Sequence, residues 1–164
     1  MKKFFFFTMF VVTVFVACTP VAKNKPLDDN AAKAELIKTM DSINSVFENK
    51  NIDAFMAFFD DKCIFYGTDP SEKWDKMVFQ KEMQKMFVDT LNVPKSIIRN
   101  REIFILNDGT AMVVEQFNPE FSKNIQIRNT AHFIRKGNKW VCDFTSYGLI
   151  PLNKDLERLN QLVK

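Results

Sequence analysis

Histidine is almost missing from this sequence: His132 is the only one. The other two cysteines besides Cys18, Cys63 and Cys142, do not stand at metal-ligand spacing. One imidazole and no cysteine pair argue against a zinc site. Glycine is scarce too, with four residues in 164, and there is no G-x-G-x-x-G, no P-loop and no G-x-S-x-G. The sequence therefore gives no reason to expect a metal, a nucleotide or another cofactor, or a serine nucleophile on a sharp turn. Charge of one sign is lacking as well. Without Lys2 and Lys3, the 23 basic residues become 21 against 20 acidic ones. That near-neutral balance leaves no basic footprint for nucleic acid.

Apolar and aromatic residues are abundant, with 18 phenylalanines and 8 methionines. The chain opens MKKFFFFTMFVVTVFVACTP. Lys2 and Lys3 form a basic start, the run from Phe4 to Ala17 is apolar, and a small residue precedes Cys18. This is the order of a secretory signal. The run is shorter than the roughly 20 residues that span a bilayer. The ending Phe-Val-Ala-Cys resembles a bacterial lipobox, which implies Cys18 as a lipid-bearing mature N-terminus. The expected organisation is a signal peptide over 1–17, a lipid-anchored tether over 18–30, a domain over 31–150 and a C-terminal helical extension over 151–164. The expected location is a bacterial cell envelope, with membrane contact through the lipid. Cys63 and Cys142 sit in apolar, strand-like runs and read as buried, unpaired thiols, although an exported protein can oxidise such residues.

Leu36, Ile37, Met40, Ile43, Val46 and Phe47 recur at steps of three and four, so 31–49 reads as an amphipathic helix. Asn30 is placed to cap it. A short helix over 51–61, a strand over 63–68 and a turn over 69–74 follow. A helix over 75–90 comes next, with Met77, Val78, Met83, Met86 and Phe87 as its inner side. From residue 96 the pattern is one of strands, with hairpin signals at Asp108-Gly109 and Gly137-Asn138 and a bend at Pro119. Leu152, Leu156, Leu159 and Leu162 space a short amphipathic helix after Pro151. Helices followed by antiparallel strands make an α+β fold, with the helices packed on one sheet.

The segment FENKNIDAFMAFFDDKCIFYGTDPSEKW resembles the opening of the SnoaL-like branch of the nuclear transport factor 2-like superfamily. IRNTAHFIRKGNKWVCDFTS resembles that family's closing hairpin, with its G-x-x-W turn. The resemblance covers about 31–150. It implies a cone-shaped, cystatin-like α+β fold in which helices and a curved antiparallel sheet enclose a cavity. Members include isomerases, cyclases and dehydratases as well as non-catalytic binding domains.

Strand pairing places candidate site residues. A two-residue Asp108-Gly109 turn sets Glu102 opposite Glu115. A two-residue Gly137-Asn138 turn sets His132 opposite Asp143. A turn at Lys123-Asn124 sets Glu115 opposite His132. Opposed residues share a sheet face, so Glu102, Glu115, His132 and Asp143 form one polar row bordered by apolar ones. Such a row fits a pocket wall with a few convergent polar groups, and a histidine beside an aspartate fits acid–base work. A one-residue error in any turn reverses a strand's faces. Tyr66, Trp74 and Tyr147 could add polar tips to the same wall.

Three readings follow. The first is a non-catalytic domain binding a small apolar or amphipathic molecule. The second is an isomerase, cyclase or dehydratase using His132 and Asp143. The third is an accessory dimerisation or docking module. Ile103, Ile105, Met112, Val114, Ala131, Phe133, Cys142 and Phe144 form a second, apolar sheet face. If the polar row lines the cavity, a homodimer is the economical cover for that face. If the apolar face lies beneath the helices, the polar row is outer surface.

Two measurements check these expectations. Intact mass of the membrane fraction should show an acylated Cys18 as the first residue; a soluble mature form starting elsewhere ends that expectation. Light scattering on residues 27–164 should give twice the chain mass, whereas a monomer at high concentration counts against the dimer.

Overall fold

The computed structural model describes residues 28–89, 95–120 and 124–162. The expected signal peptide, Cys18 and nearly all of the tether lie outside them. Helix α1 spans Asp29–Glu48. It starts two residues earlier than the tether expectation allows, because Asp28 rather than Asn30 caps it. The Asp28 carboxylate accepts the Asn30 N–H at 3.0 Å, satisfying a backbone donor that the first turn leaves open. Ala32, Leu36, Met40 and Ile43 form its buried stripe. Ile37 instead remains 45% exposed.

The second helix is shorter than its apolar pattern suggests. Helix α2 covers only Ile52–Met56, and strand β1 begins at Phe59 and runs to Tyr66. Tertiary pairing decides this boundary: the Cys142 N–H donates to the Phe58 carbonyl at 2.9 Å. Phe59, Cys63 and Phe65 are then buried on the strand. Strand β2 is Lys73–Asp75 and helix α3 is Lys76–Asp89. Asp75 caps α3 by accepting the Val78 N–H at 2.8 Å. The inner stripe of α3 contains Phe79, Met83 and Phe87, whereas Met77 is 63% exposed and Val78 also faces out. The spacing 79, 83, 87 follows the helical period better than a stripe beginning at 77.

Strands β3 (Ser96–Ile105), β4 (Ala111–Pro119), β5 (Gln126–Lys136) and β6 (Lys139–Ile150) complete a six-stranded curved sheet of order β2-β1-β6-β5-β4-β3. Neighbouring strands are antiparallel except β1 and β6, which run parallel. The expected α+β class with helices packed on a curved sheet is thus observed. A short 3₁₀ turn, Asn153–Asp155, leads into helix α4, Leu156–Leu162, which buries none of its residues.

Turn lengths set the faces. The Gly137-Asn138 turn has two residues, with Lys136 paired to Lys139. The β3–β4 turn has three, Asn107-Asp108-Gly109. Leu106 donates to the Thr110 carbonyl at 2.9 Å, and Gly109 has φ +81°. Glycine takes that left-handed backbone without a Cβ clash. The extra turn residue moves the register by one, so Arg101, not Glu102, opposes Glu115. The β4–β5 register also differs: Glu115 opposes Asn129, and His132 opposes Met112. The proposed row of Glu102, Glu115, His132 and Asp143 therefore does not form.

The helices cover the apolar sheet face. Ala131, Phe133 and Cys142 are core residues, with Ile103 and Ile105 packed against them. Met112, Val114 and Phe144, expected on the same face, alternate with core residues and point the other way. A phenylalanine cluster joins helices to sheet. Phe65 stacks on Phe79 at 3.9 Å between ring centroids and 14° between planes, and Phe59 meets Phe55 and Phe65. Such ring pairs add directional attraction to apolar burial.

Candidate functional site

Between α1, α3 and the inner sheet face lies a cavity of about 330 Å³. Its wall is mostly apolar, including Met40, Phe47, Phe55, Phe79, Met83 and Phe117. Trp74 joins the wall from β2, and Gly67, Thr68 and Glu72 line it from the segment between β1 and β2. Gly67 has no room for a side chain there, since an added Cβ would lie 2.7 Å from the Glu72 Cβ.

One polar row crosses the inner face. Arg101 on β3 opposes Glu115 on β4, Glu115 opposes Asn129 on β5, and Asn129 opposes Tyr147 on β6. Glu115, Asn129 and Tyr147 all line the cavity. Tyr147 reaches this face because β6 carries a bulge at Asp143. Phe133 pairs with Cys142, but His132 pairs with Phe144. The extra residue reverses the parity of the strand, so Trp140, Cys142 and Thr145 are all buried. The row borders Phe117 and Ile127 on one side and Val113 and Ala131 on the other.

Glu115 is 3% exposed. Its Oε1 accepts from Arg101 Nε at 2.6 Å, and Arg101 also donates to Asp41 on α1 at 2.7 Å. Burial pushes the Glu115 carboxyl above its ordinary value, and the Arg101 charge only partly offsets this. Burial also pushes the Tyr147 phenol well above its ordinary value, so it stays protonated near neutrality. Asn129 Oδ1 accepts from the Thr145 hydroxyl at 2.7 Å. That bond fixes the amide orientation and leaves its nitrogen as a donor.

Of the residues expected to line a pocket, the cavity contains Trp74, Glu115 and Tyr147 and does not contain Tyr66, Glu102, His132 or Asp143. The His132–Asp143 pair is present, with Nδ1 and Oδ1 at 2.6 Å, but it lies on the outer sheet face. Glu102 is also outside, opposite Val114, where its carboxylate accepts from Asn100 at 2.8 Å. Tyr66 packs near Phe144, with Lys73 over its ring. Arg101 and Asn129 escaped the sequence reading because neither stands out without the register. The three-residue reading of Asn107-Asp108-Gly109 was the available clue to Arg101. Among the described residues, no group of three or more His, Cys, Asp or Glu side chains is placed to hold a metal ion.

A helix-and-sheet cone around an internal cavity defines the nuclear transport factor 2-like class of α+β domains. Within it, residues 36–143 match the SnoaL-like domain family, and the chain belongs to that family. Solved structures share the fold at low identity. An NTF2-like protein of unknown function from Pseudomonas putida is 12% identical, with TM-score 0.60 over 77% of this chain and 92% of that one. An NTF2-like protein from Cytophaga hutchinsonii is 12% identical, with TM-score 0.62 over 72% and 98%. A cystatin-like fold protein from Burkholderia xenovorans is 15% identical, with TM-score 0.61 over 73% and 92%. No curated protein matches the chain.

Removing Arg101 tests the electrostatics of the row. A carboxyl with a raised folded-state value stabilises the fold fully below its unfolded value and loses that contribution as pH rises through the folded one. The Arg101→Met variant removes the charge that holds the Glu115 carboxyl down, so the loss should grow. Chemical denaturation should show a cost of about 2 kcal/mol at pH 7, below that of breaking a fully buried pair because Asp41 and part of Arg101 remain in contact with water. The cost should shrink at pH 4, and the Glu115 carboxyl ¹³C shift should titrate at higher pH than in wild type. An equal cost at both pH values would mean that Glu115 carries no net burial penalty.

Proposed function

We propose that this domain is a lipid-anchored, non-catalytic binding protein of a bacterial cell envelope that holds a small apolar or amphipathic molecule in its cavity. The observation that carries the reading is the cavity itself: an apolar wall of about 330 Å³ with a single polar row on one side. That composition suits a ligand with an apolar body and one polar end, the common pattern of small-molecule sites. At roughly 30 Å³ of liquid volume for each water, the cavity matches about 11 water molecules, the scale of a small ligand. Met40, Met83 and Met86 give the wall adaptable side chains that can repack around different shapes. The membrane contact rests on the lipobox-like ending at Cys18, since no helix among the described residues is long and apolar enough to cross a bilayer.

The enzyme reading that rests on His132 and Asp143 has no support from their position, because neither residue reaches the cavity. A homodimer on the outer sheet face remains part of the proposal. Tyr66 and Phe104 are exposed there, with Met112, Val114 and Phe144 half-buried beside them. An apolar surface of this kind is covered economically by a second copy.

Methyl NMR tests the binding reading. Titration with 1-octanol should shift the Met40, Met83 and Met86 methyl signals saturably and leave that of exposed Met77 in place. A Met83→Trp variant, which fills the cavity, should abolish those shifts. Absence of saturation, or equal shifts at Met77, would end the proposal.

A further inference from the structure

The polar row also constrains the ligand's polar end, provided that the cavity binds a ligand as proposed above. Glu115 and Asn129 are direct partners across β4 and β5, so their side chains leave the sheet about 5 Å apart on the same face. Both are more than nine-tenths buried, and both line the cavity. Their hydrogen-bonding needs are complementary. Arg101 engages Oε1 of Glu115, and no described residue donates to Oε2. Thr145 engages Oδ1 of Asn129, and no described residue accepts from Nδ2. One acceptor and one donor therefore stand side by side at the cavity wall without protein partners. Neither atom is among the sealed, unsatisfied ones of the described residues, so each opens to the cavity, where a ligand group can reach it.

The geometry points to a ligand whose head is a neutral donor–acceptor group, a carboxamide, seated between Glu115 and Asn129 with its apolar chain among the methionines and phenylalanines. The amide N–H donates to Glu115 Oε2, and the amide carbonyl accepts from Asn129 Nδ2. The protonated Tyr147 phenol, next in the row, offers a second donor to that carbonyl.

Charge sorts the alternatives. The ionisable side chains lining the cavity are Glu72, Glu115 and Tyr147. Arg101 from β3 and Asp41 from α1 face Glu115 from behind and are bonded to each other. A ligand carboxylate would meet two glutamates and no unpaired cation in the wall. A ligand ammonium would satisfy Glu115 but could accept nothing from Asn129. Of carboxylate, ammonium and amide, only the amide completes both groups.

Three eight-carbon ligands separate these cases: octanamide, octanoate and octylamine, titrated calorimetrically into the purified protein at pH 7. Octanamide should bind most tightly, with octylamine and octanoate each at least about tenfold weaker, the scale of one hydrogen bond lost from a buried site. In a Glu115→Gln variant octanoate should gain affinity, because the repelling charge is gone. Asn129→Ala should bring octanamide down to the level of octylamine. Circular dichroism and retained 1-octanol binding would show that either variant still folds. Tighter binding of octylamine or octanoate than of octanamide by wild type would overturn the head assignment while leaving the cavity a binding site. If none of the three ligands nor 1-octanol binds wild type, the binding reading itself falls.

Discussion

The architecture around the cavity depends on burying one carboxylate. Glu115 lies on β4, one strand in from the sheet edge and beneath the helices, where a lone charge would be expelled or neutralised. Arg101 makes the position tenable, and Asp41 on α1 holds Arg101 in turn. This chain of charges runs from helix α1 to the edge strand β3 and on to β4 beside it. It ties α1 to β3 beside an open groove lined by Lys33, Ile37 and Ile98. The same contact keeps a polar group on an otherwise greasy wall, where it can face a ligand. An ion pair of this kind is weak evidence for stability; its value here is that it fixes where the polar end of the cavity lies.

Two small backbone devices bring that row together. Gly109 adopts a left-handed conformation in a three-residue turn, and the extra residue sets Arg101 rather than Glu102 beside Glu115. The bulge at Asp143 reverses the faces of β6 in mid-strand, so Tyr147 points inward while Asp143 joins His132 outside. Without the turn residue the row would lose its cation. Without the bulge it would lose its phenol. Both devices act through the two-residue period of a strand, which turns a single added residue into a change of side.

The phenylalanine cluster shows a different division of labour. Phe55, Phe59, Phe65 and Phe79 come from two helices and a strand and meet around one stacked pair. Phe55 and Phe79 carry this cluster into the cavity wall, beside the methionines, Trp74 and the polar row. The wall thus combines stiff rings that set its shape with flexible side chains that can adapt to a ligand.

The sequence alone determined the kind of fold. The helical stripe of α1, the Asp-Gly and Gly-Asn turns and the run of β-rich segments are local signals, each written within a few neighbouring residues. The GTDP-x-E-x-W stretch and the closing hairpin carried the family in the same way. The short Gly137-Asn138 turn even brought out the His132–Asp143 contact, because only eleven residues separate the pair. Which residues share a wall was decided by tertiary structure. It depended on the length of one turn, on the longer connection between β4 and β5, and on a bulge whose position no local pattern marks. It depended also on α1 covering the apolar face and leaving His132 outside. Errors in register accumulate from strand to strand, whereas helical and turn signals are read one at a time. Arg101, Glu115, Asn129 and Tyr147 belong to four different strands, and only their pairing makes them neighbours.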